Sequence, residues 1–148
     1  MTTDLKAIGP AAHLGYEMRI EAPPVTVWRF WVEPDAIVRW MGKIATLEPR
    51  PGGLFRIDYG QGDVVVGEYL EVDPPRRLAL SWGWEAPDGR IEAGRVEVEL
   101  EAVDGGAATQ LRLRHLGLDE PSRVSHDEGW RNFLPRIADA ATEGLIQK

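Results

Sequence analysis

Apolar and polar residues alternate along most of this chain, and a helical period replaces the alternation only near the start and at the end. Tyr16, Met18 and Ile20 alternate with Glu17, Arg19 and Glu21, which predicts a half-buried strand. Ala22-Pro23-Pro24 ends it. Val25, Trp28, Trp31 and Val32 then fall at helical spacing, a short helix entered through proline. Pro34 restarts the chain into a second short helix through Ile37 to Trp40, closed by Met41-Gly42. Ile44 to Leu47 reads as a strand. Pro49, Pro51 and Gly52-Gly53 break it, after which Phe55, Ile57 and Tyr59 alternate with Arg56 and Asp58 up to a hairpin turn at Gly60 to Asp63.

Strands then follow at the short intervals of an antiparallel meander. Val64 to Val72 is the first, and Asp73-Pro74-Pro75 turns the chain. In the next strand Leu78, Leu80, Trp82 and Trp84 share the inner face, with Ala79, Ser81 and Gly83 on the other. Pro87-Asp88-Gly89 is a turn in which proline presets φ and glycine accepts a positive φ. Val96, Val98 and Leu100 alternate with Arg95, Glu97, Glu99 and Glu101; beyond Asp104-Gly105-Gly106, Leu111, Leu113 and His115 alternate with Arg112 and Arg114.

The last stretch, Ser122 to Lys148, is helical. Steps of 100° put Trp130, Phe133, Leu134, Ile137, Ala138, Ala140, Ala141 and Leu145 on one arc, and Arg131, Asn132, Arg136, Asp139, Thr142 and Glu143 on the other. Ser125 and Glu128 have capping-box spacing, marking a start or a restart after a turn opened by Pro121, and Gly144-Leu145 fits a left-handed C-cap. Pro135 lies on the polar arc, so a bend there curves the apolar face inward over a sheet. Residues 1–14 show no period and read as a loose leader; residues 15–148 read as one domain.

Composition narrows the classes of function. A chain of 148 residues can bury a core without staples, and with no cysteine it has neither disulfide nor thiol nucleophile, which suits a reducing cytoplasm. His13, His115 and His126 are not at metal-ligand spacing, so no metal or other cofactor is implied. A net charge of −7 without clustered Lys or Arg argues against nucleic acid. No apolar run approaches the roughly 20 residues of a membrane span, and the start lacks the character of a signal peptide. The six tryptophans stand out, because each brings a large shape-defining surface.

A set of residues in order carries a resemblance. It comprises Ala22-Pro23 with Val27-Trp28, Trp40, Pro51-Gly52-Gly53 with Phe55, Gly67, Val72-Asp73-Pro74-Pro75-Arg76-Arg77-Leu78, Trp82, Thr109-Gln110-Leu111, His115 with Gly117, and Gly129-Trp130. Over about residues 15 to 145 the chain resembles the single-domain bacterial relatives of the activator of the heat-shock protein 90 ATPase, within the START-like (SRPBCC) helix-grip superfamily. The resemblance implies an α+β fold: a seven-stranded antiparallel sheet gripping a long C-terminal helix, two short helices after the first strand, and an apolar cavity between sheet and helix. Superfamily members bind apolar molecules, close polyketide rings or act on chaperones, so the label is not an activity.

Candidate chemistry is sparse. Trp82, Trp84, Trp130 and Phe133 either line a cavity or fill the core, the commoner use of inner-face aromatics. Strand parity puts Glu68 with Val64, Val66, Leu70 and Val72 on the apolar face, where a carboxylate needs a partner or a proton; a bulge near Gly67 would turn it outward. His115 shares a face with Leu111 and Leu113 and either meets a ligand or is satisfied at the strand end. His126 reads as a surface residue. Arg112 and Arg114 beside Glu97, Glu99 and Glu101 read as cross-strand charge pairs. None of Ser81, Ser122 and Ser125 sits on a nucleophile elbow, and Gly52-Gly53 lacks the lysine and helix of a phosphate loop.

The leading expectation is a binding module for an apolar or aromatic small molecule, held by Trp40, Tyr59, Glu68, Trp82, Trp84, His115, Trp130, Phe133 and Ile137 in a monomer or homodimer. The second is a chaperone-regulating domain, weakened by the lack of the large further domain of the eukaryotic activators. The third is a cyclase or aromatase-type enzyme using an inward Glu68 or His115 as acid or base.

Overall fold

The computed structural model describes residues 5–9 and 13–146, with side chains through Glu143. Its strands are β1 (Lys6–Ala7), β2 (Leu14–Ile20), β3 (Ile44–Leu47), β4 (Leu54–Asp58), β5 (Val64–Asp73), β6 (Arg77–Ala86), β7 (Gly89–Val103) and β8 (Ala108–Leu116). Its helices are α1 (Pro24–Val32), α2 (Pro34–Ile37) and α3 (Glu120–Ile146), with a 3₁₀ turn at Asp104–Gly106. The strands form one sheet in the order β1-β2-β8-β7-β6-β5-β4-β3, every pair antiparallel. Since β2 lies near one edge and β3 at the other, α1 and α2 carry the chain across the sheet.

The expected α+β helix-grip architecture is therefore present, with an eighth strand at the edge. Residues 1–14 are not uniformly loose: Lys6 and Ala7 pair with Glu17 and Tyr16, and Ile8 N–H donates to Gly15 O at 2.8 Å. Residues 1–4 and 10–12 of that expected leader lie outside the described residues. A polar two-residue edge strand carries no alternation, so its pairing leaves no mark in the sequence pattern.

One continuous core lies between the sheet's inner face and the helices. Partners across the ladders share a face, and the buried set runs Met18–Leu111–Leu100, then Tyr16–Leu113–Val98–Leu78, then His115–Val96–Leu80–Tyr69. The opposite face carries Arg112 bonded to Glu101 and Glu17, Arg114 to Glu97, and Arg77 to Glu99 and Glu71, the charge pairs that the alternation predicts.

Helix α3 covers this core. Trp130, Leu134, Ile137, Ala138, Ala140 and Ala141 are buried, while Arg131, Asn132, Arg136, Asp139 and Glu143 are exposed. Two expected signals of its ends are corrected. Asp119, not Ser125, caps the N-terminus, its carboxylate accepting Ser122 N–H at 2.9 Å; Ser125 lies inside the helix and donates to Ser122 O. The helix also runs through Gly144 to Ile146, so Gly144 does not end it, and the Leu145 side chain lies outside those described.

The parity expected for β5 is corrected too. Val65 pairs with Trp84 and Ile57, Gly67 with Phe55, and Tyr69 with Leu80, so the odd-numbered residues face inward and Glu68, paired with Leu54, points outward into solvent. A register shift between Tyr69 and Glu71 then inserts one residue, which brings Val72 opposite Leu78 on the inner face. Reading parity back from Val72 without that bulge flips every side chain before it. The bulge lies at Leu70, beyond the Gly67 position considered from the sequence.

Candidate functional site

Between β6 and the first half of α3 lies a pocket of about 440 Å³. Each wall has a local cause. Strand alternation places Trp82 and Trp84 on one face of β6, two residues apart. Helical steps place Ser125 and Gly129, and His126, Trp130 and Phe133, on the facing side of α3. The β4–β5 hairpin, closed by Tyr59 N–H to Asp63 O at 2.9 Å, adds Tyr59 and Asp63, and the turn after α2 adds Met41.

The walls are mostly aromatic. Trp82 and Trp130 have centroids 5.3 Å apart; Tyr59 lies 6.0 Å from Trp84 and 5.6 Å from Phe133, in the tilted or edge-on arrangements that aromatic pairs favour. Trp82 and Trp130 are buried and Trp84, Tyr59 and Phe133 half-buried, so these rings are core on one side and pocket wall on the other.

Two histidines fix two of the indoles. Trp84 Nε1–H donates to His126 Nε2 at 3.1 Å, and His126 Nδ1–H donates to Ser122 O at 2.8 Å. Trp130 Nε1–H donates to His115 Nδ1 at 3.0 Å, and His115 Nε2–H donates to Ala93 O at 2.5 Å. The imidazoles meet edge to face at 4.9 Å, which links β6, β8 and α3 through one polar seam. Ala93 belongs to a register shift in β7, where Ala93 and Gly94 together oppose Trp82; Gly94 takes φ 83° there, as bulge glycines do. Burial pushes the His115 imidazole down to about 4, against the Ala93 carbonyl, with His126 adding to the depression.

Of the remaining polar groups, Ser125 Oγ donates to Ser122 O, whereas the Tyr59 hydroxyl and Asp63 carboxylate have no hydrogen-bond partner among the described residues. Burial, and secondarily Asp63, holds the Tyr59 hydroxyl protonated well above the ordinary phenol range. Trp82 Nε1–H is buried without a partner among the described residues.

The residues expected from the sequence therefore divide. Tyr59, Trp82, Trp84, Trp130 and Phe133 line the pocket. His115 is fully buried behind it, with both ring nitrogens engaged. Trp40 packs on Trp31 at 4.8 Å and donates to Phe30 O at 2.8 Å, joining α1 to the turn after α2. Ile137 is core, and Glu68 is on the outer face. Met41, Asp63, Ser125, His126 and Gly129 were missed. For His126 the signal was available, since it stands four residues before Trp130 on the same helical arc; Asp63 sits in a turn that carries no period.

A second cleft, about 340 Å³, lies between β1–β2 and α3, where Asp127 and Arg131 form an ion pair and Arg123 donates to the Leu118 carbonyl. The Asp127 carboxylate accepts from Tyr16 Oη–H and from Arg131 Nε–H, the latter at 3.0 Å. Among the described residues no group of three or more His, Asp or Glu could hold a metal, and no helix is long and apolar enough to cross a membrane.

Residues 21–142 match the family model described as "Activator of Hsp90 ATPase homolog 1-like protein". Among solved structures, a Mesorhizobium loti protein shares the fold at TM-score 0.75 and 24% identity, covering 88% of this chain and 97% of its own. CalU16 of Micromonospora echinospora aligns at TM-score 0.71 and 27% identity, over 95% of this chain and 74% of its own. An HSP90 activator from Plasmodium falciparum aligns at TM-score 0.68 and 19% identity, over 84% and 91%. None of the curated proteins matches this chain.

Proposed function

We propose, for a chain that belongs to the activator of Hsp90 ATPase homolog 1-like family, that it binds an apolar or aromatic small molecule between β6 and α3. The observation that carries this reading is the pocket itself. About 440 Å³ lies within the usual range for small-molecule sites, and five aromatic side chains wall it where a close-packed core would leave no space. A ligand that buries roughly 200 Å² of apolar surface there gains about 5 kcal/mol before the costs of association, enough for binding if the walls are already formed. They are held by the hydrogen bonds of Trp84 and Trp130 to the two histidines.

The other readings have less support. The cyclase reading rests on Glu68 or His115 as acid or base, but Glu68 faces outward and each inward histidine has its lone-pair nitrogen engaged by an indole N–H, which leaves only the exposed Asp63 carboxylate and the Tyr59 hydroxyl of the pocket wall for that role. The chaperone reading draws on the family description alone. Saturable stimulation of a heat-shock protein 90 ATPase, abolished by mutating this domain's surface, would establish it in place of the binding reading.

The test of the binding reading is a fluorescence titration with flexible fatty acids and rigid aromatic compounds. One class is expected to change indole emission saturably, with affinity lowered in Trp84→Phe and unaltered in the outer-face control Glu68→Gln. No saturation with either class would sink the proposal.

A further inference from the structure

Resting on the reading just given, we infer that the pocket selects a ligand bearing an organic cation, a protonated or quaternary amine on an aromatic or alicyclic body, over a carboxylate on the same skeleton. Three features of the pocket converge on this.

The first is the rings. Tyr59, Trp82, Trp84 and Trp130 surround the space, and an aromatic face carries the negative end of its quadrupole toward whatever lies over it. Phe133 is less available for this role, because the Arg136 guanidinium already lies 5.5 Å from its centroid without lining the pocket.

The second is formal charge. Among the described residues neither a lysine nor an arginine lines the pocket, and the one carboxylate in its wall, Asp63, has no ion-pair or hydrogen-bond partner. The contrast with the rest of the surface is instructive: Glu17, Glu71, Glu97, Glu99 and Glu101 all face arginines.

The third is the direction of hydrogen bonding. Trp84 and Trp130 N–H point to histidines, His126 Nδ1–H and Ser125 Oγ–H to the Ser122 carbonyl, and Trp82 N–H is buried. Besides that unpartnered indole N–H, which has no exposed surface, the uncommitted groups are the Asp63 carboxylate and the Tyr59 hydroxyl, which burial keeps protonated. A ligand carboxylate entering such a site loses hydration and finds one accessible donor, the Tyr59 hydroxyl, near a like charge, since the unpartnered Trp82 N–H has no surface open to it; an ammonium group finds acceptors and ring faces. Asp63 is exposed, so its attraction is screened by salt and the rings supply the part of the preference that salt does not remove.

The experiment is calorimetric titration of three probes on one skeleton: naphthylmethyl-trimethylammonium, its uncharged carbon isostere, and naphthylacetate. The cation is expected to bind about tenfold more tightly than the uncharged isostere, the scale of a desolvated cation–π site, and the carboxylate weakest of all. Asp63→Asn, a surface substitution, should weaken the cation several-fold more than the isostere, and Trp84→Leu should also act mainly on the cation. If the isostere binds as well as the cation, or naphthylacetate binds better, or neither variant alters the ratio, the cation inference is overturned while the binding reading stands. If none of the three probes binds, both fall.

Discussion

Trp84 on β6 and His126 on α3 are joined by a single hydrogen bond, indole Nε1–H to imidazole Nε2 at 3.1 Å, and that bond holds one wall of the pocket against the helix. His126→Phe keeps a ring of similar size and removes the acceptor. Stability should fall by about 1 kcal/mol, the net worth of one such bond, and Trp84 emission should shift to the red as the freed N–H turns to water. Urea denaturation and emission spectra check both effects. An unshifted spectrum would show that the bond does not position the ring.

His115 predicts a pH dependence. Its protonated form is disfavoured in the fold, where the pKa is about 4, while the unfolded chain takes up the proton near 6.5. Between these values the unfolded state binds more protons, so stability is full above about pH 7 and falls by about 3 kcal/mol as pH drops from 6.5 to 4. Urea midpoints from pH 7 to 4.5 should slope clearly less in His115→Gln than in the unmodified protein. Equal slopes would locate the acid sensitivity elsewhere.

Leu134 and Ile137 are fully buried on α3, and Arg136 between them is exposed. Leu134→Ala and Ile137→Ala should each lower stability by about 2 to 5 kcal/mol, through lost methylenes and the cavity left behind, with Arg136→Ala far milder. Similar small losses at all three positions would contradict the docking of α3 on the sheet.

Gly129 separates stability from binding. It is an interior helix residue that lines the pocket, and a Cβ placed there would meet no atom within 4 Å. Gly129→Ala should therefore raise stability by up to about 1 kcal/mol, by helix propensity alone. Gly129→Leu should fold as well and yet weaken the aromatic probes by a large factor, because its side chain occupies their space. Paired melting curves and titrations decide this, and undiminished binding in Gly129→Leu would mean that ligands do not enter past this turn of α3.

The periodicities determined most of the architecture without help from tertiary contacts. Alternation depends only on where a strand directs successive side chains, so Tyr16, Met18 and Ile20, Val96, Val98 and Leu100, and Leu111 and Leu113 all lie on the buried face where the pattern puts them. The buried arc of α3 from Trp130 to Ala141 follows from the helical step in the same way. Pairing decided the rest. Val64-Val65-Val66 is apolar on both faces, so it does not fix its own parity, and the bulge at Leu70 separates Val72 from the face it would share with Val64 and Val66 in an unbroken strand; this sends Glu68 to solvent and brings Gly67 under β6. His126 looked like a surface residue because its own turn of helix is polar; its place four residues before Trp130 marks the side of the helix it occupies, but only the arrival of Trp84, 42 positions earlier, decides what it bonds. Asp63 belongs to a turn with no period at all, and only the packing of the β4–β5 hairpin beside α3 brings its carboxylate to the pocket. Local patterns record which face a residue occupies, whereas a site is made where faces from distant segments meet, and that meeting is a property of the folded chain.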